Sequence, residues 1–101
     1  MINVRDYIGS PYIVSREDGA CLHDEVSRAM RQEETIQLDF SGIERATTLF
    51  FFESLCRIAA GLGIDKYRES VKVHNMTDLV KVIYIRAMNH TIHAMYLKKC
   101  N

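Results

Sequence analysis

Two short strand patterns in this sequence flank one helical pattern, and this order allows few topologies. Residues 35–40 alternate apolar and polar side chains and are rich in strand-forming types, and residues 71–75 form a second short alternation. Between them, apolar side chains recur every three or four positions over residues 47–60. Two strands joined by a helix run parallel, with a right-handed crossover. The sequence therefore predicts an α/β domain whose sheet is at least partly parallel.

Each predicted helix begins after a residue whose side chain can cap its first turn. Ser15 precedes a first turn with two acidic residues, and this predicts a helix over about residues 16–32. Either Thr47 or Thr48 caps the second helix. Thr77 caps a third helix that continues to the last lysines, although the β-branched residues over 80–85 also fit a strand.

The N-terminal segment predicts two further strands. Residues 2–8 resemble a strand with imperfect alternation, and residues 9–11 carry a turn signal. Residues 12–14 are then expected to return as the second strand of a hairpin. Together with the strands above, this predicts a mixed sheet of about four strands packed by three helices.

The size and charge of the chain restrict its class of partner. Its 101 residues suffice for one domain, spanning 1–101. The 13 Lys and Arg residues balance 13 Asp and Glu residues, so the formal net charge is zero. We therefore expect neither nucleic acid nor an anionic membrane as partner. A net charge near zero also does little to oppose dimerisation.

The sequence favours a cytoplasmic location. No apolar run approaches the ~20 residues that span a bilayer, and the first residues lack the basic-then-apolar order of a signal peptide. The cysteines are Cys21, Cys56 and Cys100, an odd number at spacings that match no metal motif. We expect them to be reduced thiols in a reducing compartment.

Motifs for catalysis and cofactor binding are missing from the sequence. It contains no phosphate-binding P-loop, dinucleotide glycine fingerprint, nucleophile elbow or zinc-protease motif. His90 and His93 are spaced to share a metal on a helix, but no third ligand joins them at motif spacing. We therefore predict no cofactor, no metal site and no enzymatic activity.

The best-formed local unit is the strand over residues 35–40, which carries Asp39 near its end, a loop that contains Ser41, and a helix that begins near Thr48. A helix start favours negative charge, so a hydroxyl at Thr48 could carry a phosphate. Thr48 could equally serve only as the helix cap. Asp39 could bind a ligand at the carboxyl end of its strand, or it could hydrogen-bond the following loop. We favour the loop interpretation, because no second acidic group lies at a catalytic spacing.

Several of these residues together resemble the small prokaryotic STAS-like domains, a group of unknown function. The residues that carry the resemblance are Ser15, Arg16, the segment 38–43, Phe50, Glu53 and Asn75. The resemblance extends over about residues 8–90. It implies a STAS-like α/β sandwich, related in fold to the STAS anti-sigma factor antagonists.

The resemblance also implies a regulatory site. In the anti-sigma factor antagonists, an Asp-Ser pair at the start of the second helix carries a serine that is phosphorylated by a kinase of the histidine-kinase-like ATPase fold. Thr47 and Thr48 fall at that pair, so the resemblance places the phosphate acceptor at Thr48 and makes such an ATPase the partner. The sequence departs from the pattern, because Thr47 replaces the acidic residue and the phenylalanines at 50–52 replace small residues.

Three functions follow as hypotheses. The leading one is a non-catalytic regulatory module that docks a protein partner near Thr47, with the phenylalanines at 50–52 either anchoring the interface or filling the core. The second is a small enzyme with an acidic site near Asp39 and Glu53. The third is a structural homodimer built on the long C-terminal helix.

Overall fold

The computed structural model describes the chain over residues 1–100, with side chains over residues 1–97. Short strands alternate with helices along the chain, as the sequence predicts for an α/β domain. The elements are β1 (Ile2–Asn3), α1 (Val4–Ile8), β2 (Tyr12–Ile13), α2 (Arg16–Met30), β3 (Ile36–Asp39), β4 (Arg45–Ala46), α3 (Thr48–Glu53), α4 (Leu55–Leu62), α5 (Ile64–Ser70), β5 (Val71–His74) and α6 (Asp78–Cys100).

The strands form two separate parallel sheets. One has three strands in the order β1-β3-β5, and the other has two strands, β2 and β4. The prediction that β3 and β5 are parallel neighbours is confirmed, with Ile36 opposite Val71 and Leu38 opposite Val73. The prediction of one mixed, four-stranded sheet is wrong, because every strand pair among residues 1–100 is parallel and the strands divide three and two.

The predicted N-terminal hairpin is also wrong. Only Ile2 and Asn3 are extended, and residues 4–8 form the short helix α1. The Asn3 side chain causes this change, because its Oδ1 accepts a hydrogen bond from the Asp6 amide at 2.9 Å and caps the helix. Gly9 ends the helix in the left-handed conformation at φ +84°. As a result β1 pairs with β3 rather than with β2.

Helix α2 confirms the prediction for its segment. The Ser15 hydroxyl oxygen accepts a hydrogen bond from the Asp18 amide at 3.1 Å, and Glu17 and Asp18 lie in the first turn. Leu22 and Val26 lie on the inner face of the helix and are fully buried. Helix α6 is likewise a helix rather than a strand, as predicted.

The second predicted helix is divided at Ser54, whose backbone leaves the helical region at φ −112° and ψ −96°. The Ser54 side chain is fully buried, and its hydroxyl donates to the Phe50 carbonyl at 2.8 Å. Gly63 ends the second half at φ +88°, and helix α5, which the sequence did not predict, follows at once.

One contiguous cluster of buried side chains joins the strands to the helices. Phe40 from the end of β3 lies against Phe51 of α3 at a ring-centroid distance of 6.2 Å, and Phe51 contacts Tyr84 of α6 at 5.3 Å. Phe50 and Phe51 are fully buried and Phe52 is half-buried. Phe50 and Phe51 are therefore core residues rather than exposed anchors. Within residues 1–100, no helix combines the length and the apolar character needed to cross a membrane.

Candidate functional site

Two strand–helix units run side by side in this fold. Strand β2 pairs in parallel with β4, with Tyr12 opposite Arg45 and Ile13 opposite Ala46. Each strand leads within a few residues into a helix, α2 after β2 and α3 after β4. Because paired parallel strands end at the same edge, the two helices begin next to each other. This arrangement brings together two helix starts that are more than thirty positions apart in the sequence.

Thr47 joins the two units and caps α3. Its hydroxyl donates a hydrogen bond to the carbonyl of Val14 at 2.8 Å, and its oxygen accepts from the Phe50 amide at 3.3 Å. Thr48 follows as the first helical residue and is half-buried. Of the two candidates for the cap, the structure therefore selects Thr47. Among residues 1–97, no side-chain hydrogen bond involves the Thr48 hydroxyl.

Gly19 allows the two helices to approach closely. A Cβ atom at this position would lie 2.5 Å from the Phe50 carbonyl oxygen and 2.9 Å from Cβ of Glu53. Neither distance is compatible with a side chain at its present place, so the backbones of α2 and α3 touch only because residue 19 is glycine. The contact fixes the relative position of the two helix starts.

Exposed side chains surround these helix starts. Val14 is 39% exposed and Leu49 is 42% exposed, and Arg16 is exposed at the first position of α2. We call this region the helix-start surface, and it consists of Val14, Ser15, Arg16, Thr48 and Leu49. It combines apolar side chains with the positive ends of two helices.

Asp39 lies at a different place, where the carboxyl ends of β3 and β5 meet. Its Oδ1 accepts hydrogen bonds from the Ser41 hydroxyl at 2.7 Å, the Ser41 amide at 2.9 Å and Asn75 Nδ2 at 3.1 Å. The Ser41 hydroxyl, followed by Asn75 and the Ser41 amide, lowers the pKa of this carboxyl below its ordinary value. Asn75 itself adopts the left-handed conformation at φ +62°. These contacts agree with the interpretation that Asp39 organises the loop after its strand.

The predicted site residues thus fall into separate groups. Ser15, Arg16, Thr47 and Thr48 lie together, whereas Asp39 and Ser41 bond to each other and to Asn75. Glu53 lies on α3 and pairs with Arg57 at 3.6 Å. Asp39 and Glu53 share no hydrogen-bond partner among the described residues, and neither lines any of four surface cavities found there.

His90 and His93, the two histidines spaced three apart, are both exposed on α6. The centroid of the His90 ring lies 5.4 Å from that of Phe52. Within the part of the chain that the structure describes, no group of three or more His, Cys, Asp or Glu residues could hold a metal ion. Cys21 and Cys56 are unpaired, and the side chain of Cys100 lies outside the described residues.

Sequence reasoning missed Val14 and Leu49 as parts of this surface, and it missed Gly19 as the residue that lets α2 and α3 approach closely. The two-residue strand β4 is too short to leave an alternation pattern, so the pairing that places Val14 beside Thr47 had no sequence signal. Gly19 did carry one, because a glycine inside a helical pattern often marks a close backbone contact.

Comparison with known families agrees with this fold. A family profile described as the STAS-like domain of unknown function (DUF4325) matches residues 18–81, more than half of the chain. The chain belongs to this family. The match runs from the first turn of α2 to the first turn of α6 and includes Asp39, Thr47, Thr48 and Glu53. In this STAS-like domain, Ser15 and Arg16 lie just before the matched region. No curated protein and no solved structure is significantly similar to the chain.

Proposed function

We propose that this STAS-like domain is a non-catalytic regulatory module that docks a protein partner through its helix-start surface. The observation that carries the proposal is the side-by-side start of α2 and α3, which gathers Arg16, Thr48 and Leu49 at one place. Two helix starts concentrate partial positive charge, and Arg16 adds a full charge. The apolar side chains provide area that a partner can bury, and the positive charge orients an acidic partner surface against them.

Thr48 is the residue at which this surface could be regulated. A phosphate there would add roughly −1.5 to −2 charges at the positive end of α3. Because Thr47 already caps the helix, modification of Thr48 leaves the cap intact. By analogy with the anti-sigma factor antagonists, the partner is an ATPase of the histidine-kinase-like fold. It would transfer the γ-phosphoryl group of ATP to the Thr48 hydroxyl oxygen, with release of ADP and a proton.

The geometry around Asp39 supports a non-catalytic role. An oxygen that accepts three hydrogen bonds within its own loop is already used to hold that loop. The lowered pKa keeps the carboxyl ionised, so it cannot act as a general acid near neutral pH. Glu53 contacts Arg57 rather than Asp39, and the two carboxylates offer no shared acidic site.

A capture experiment with four baits tests the proposal. Wild type, Thr48→Glu, Thr48→Ala and Thr35→Glu would be used to capture partners from the source cell, with mass spectrometry to identify them. Thr35 is an exposed threonine before β3, so Thr35→Glu is a matched control for the added charge. We expect Thr48→Glu alone to lose the partner, by about 5- to 150-fold, because burying an unmatched polar group costs about 1–3 kcal/mol.

Melting curves of all four baits complete the design. The helix start should accept Thr48→Glu with an unchanged melting temperature, and Thr48→Ala should keep both the fold and the partner, because Thr47 remains the cap. Equal capture by all four baits would show that Thr48 is only a structural residue. A loss of partner with Thr35→Glu of the same size would also contradict a local switch.

A further inference from the structure

Helix α6 is apolar on two opposite faces. Its inner face, which includes Val80 and Ala87, is buried against the rest of the domain. Its outer face presents Val82 at 50% exposure, Ile85 at 48% and Tyr96 at 66%. A helix that is apolar around its circumference is normally covered on all sides. The outer face of α6 therefore lacks a covering partner within the described chain.

The outer face follows the spacing of a coiled-coil seam. Val82, Ile85, Asn89, Ile92 and Tyr96 are separated by three, four, three and four positions, which places them on one stripe of the helix. Ile92 lies at the edge of this stripe, where it is half-buried against the core. Asn89 is exposed at the centre of the stripe, with two apolar side chains on each side. A single asparagine in such a seam specifies the register of a helix pair at some cost in stability.

We propose that this stripe is the interface of a homodimer in which the α6 helices of two copies pack antiparallel, with the two-fold axis near Asn89. The stripe is complementary to itself about that point. Val82 and Ile85 of one copy would meet Ile92 and Tyr96 of the other. The two Asn89 amides would meet on the axis, where each can both donate and accept a hydrogen bond. An unrelated partner would not require this internal symmetry.

The surroundings of the stripe favour the antiparallel orientation. Beside the C-terminal half of α6, a groove is lined by Leu62 and Ile64 as well as by Ile92, Met95 and Tyr96. In an antiparallel pair, the N-terminal half of the partner helix lies beside this groove, so its Val82 and Ile85 can fill it. In a parallel pair, the C-terminal half of the partner lies there, so two grooves would face each other. Antiparallel packing also aligns the opposite ends of the two helix dipoles.

The length of α6 gives a contact of sufficient size. Its 23 residues extend about 34 Å at 1.5 Å per residue. Small specific interfaces bury about 1,200 Å² in total, and a seam of this length would approach that area with the help of the groove walls. The zero net charge adds no general repulsion between copies. This surface is distinct from the helix-start surface, so the inference stands apart from the proposed function.

Sedimentation equilibrium on the full chain tests the dimer with three variants. Ile85→Glu places a charge in the seam, and Asn89→Asp places two like charges on the axis while preserving the shape of an exposed side chain. Ala94→Glu is the control, because Ala94 is exposed on the same helix about 140° away from Asn89. We expect wild type and Ala94→Glu to be dimers and both seam variants to dissociate at least 10-fold more readily at pH 7.

Circular dichroism melts of dilute samples separate dissociation from unfolding, and Asn89→Asp keeps the test valid if Ile85→Glu fails to fold. Wild-type protein that stays monomeric up to roughly 1 mM, the weak limit for specific association, would overturn the proposal. A wild-type dimer that both seam variants leave intact would place the interface elsewhere and would overturn it equally.

Discussion

Asp39 connects the ends of two strands through one carboxylate oxygen. Its three hydrogen bonds come from Ser41 and Asn75, so the loop after β3 and the loop after β5 share one acceptor. Asn75 holds a left-handed conformation there, which asparagine tolerates better than most residues. Asp39 is therefore a structural junction between neighbouring parallel strands.

The hydrogen bonds of Asp39 predict a specific loss of stability in acid. Because the folded pKa lies below the ordinary value of 3.8, the ionised group stabilises the fold above that pH, and this contribution is lost as the pH falls through the lowered pKa. Urea-unfolding midpoints measured against pH should fall in acid more steeply for wild type than for Asp39→Asn. The two slopes would be equal if Asp39 contributed nothing to the acid response.

Asp39→Asn also separates stability from recognition. If the residue only holds its loop, the variant should be less stable at neutral pH yet capture the same partner as wild type in the experiment above. A large loss of capture with unchanged melting would instead make Asp39 part of the interface.

The contact between α2 and α3 depends on the absence of a side chain at position 19. Glycine inside a helix normally costs up to about 1 kcal/mol relative to alanine. At Gly19 this cost is offset by the close approach of the Phe50 carbonyl, which a Cβ atom would block at 2.5 Å. Gly19 thus weakens α2 as an isolated helix and also sets the geometry of the helix-start surface.

A pair of glycine substitutions tests this account at the level of the helices. Gly19→Ala should destabilise the domain by about 1–2 kcal/mol, because overpacking costs typically 1–3 kcal/mol and the gain in helix propensity recovers part of it. Gly61→Ala, in α4, is the control, because its Cβ would meet nothing within 4 Å and should stabilise by up to about 1 kcal/mol. Chemical denaturation of both variants measures the difference. Stabilisation by Gly19→Ala would contradict the close contact.

Elements with strong local signals could be predicted from the sequence. Helix α2 has a capping serine and acidic first-turn residues, and β3 and β5 have alternating side chains, so all three appeared close to their observed bounds. Elements defined by tertiary contacts could not. The kink at Ser54 depends on its buried bond to Phe50, and β4 exists only through its pairing with β2.

One missed element did carry a local signal. Asn3 caps the start of α1 and Gly9 caps its end, but the apolar residues between them also fitted a strand. The candidate site shows the same division. Ser15, Arg16 and Thr48 were named as candidate residues from the sequence, whereas their proximity follows from the pairing of two very short strands.

At the scale of the whole molecule, α3 lies between the two proposed surfaces. It packs against α2 on one side and against α6 on the other. Phe51 of α3 contacts Tyr84 of α6, so buried aromatic side chains connect the helix-start surface with the helix that carries the dimer seam. One contiguous core links both surfaces, and we expect the chain to unfold as a single domain.

The pair formed by Tyr67 and Tyr84 sets how that single domain responds to alkali. Their hydroxyl oxygens lie 2.8 Å apart between α5 and α6, and burial raises the pKa of both side chains above the ordinary value of 10.0. Burial similarly raises the pKa of the Cys56 thiol. A group with a raised folded pKa stabilises the fold fully below its unfolded pKa, and this contribution is lost as the pH rises above it. The domain should therefore lose stability in alkali, because Tyr67, Tyr84 and Cys56 each ionise more readily in the unfolded chain than in the folded protein.

Replacing Tyr67 by phenylalanine measures how much its hydroxyl contributes to the loss of stability in alkali. Above pH 10.0, unfolded Tyr67 releases a proton that the folded protein retains, so each such group contributes a slope of about −1.4 kcal/mol per pH unit to the free energy of unfolding. Tyr67→Phe should make the alkaline slope shallower by up to that amount, as measured by urea unfolding at several pH values. Tyr12→Phe is the matched control, because Tyr12 is 51% exposed and lies outside the pair. Parallel curves for wild type and Tyr67→Phe would mean that Tyr67 ionises as readily in the folded protein as in the unfolded chain, and the buried hydroxyl pair would then have no part in alkaline unfolding.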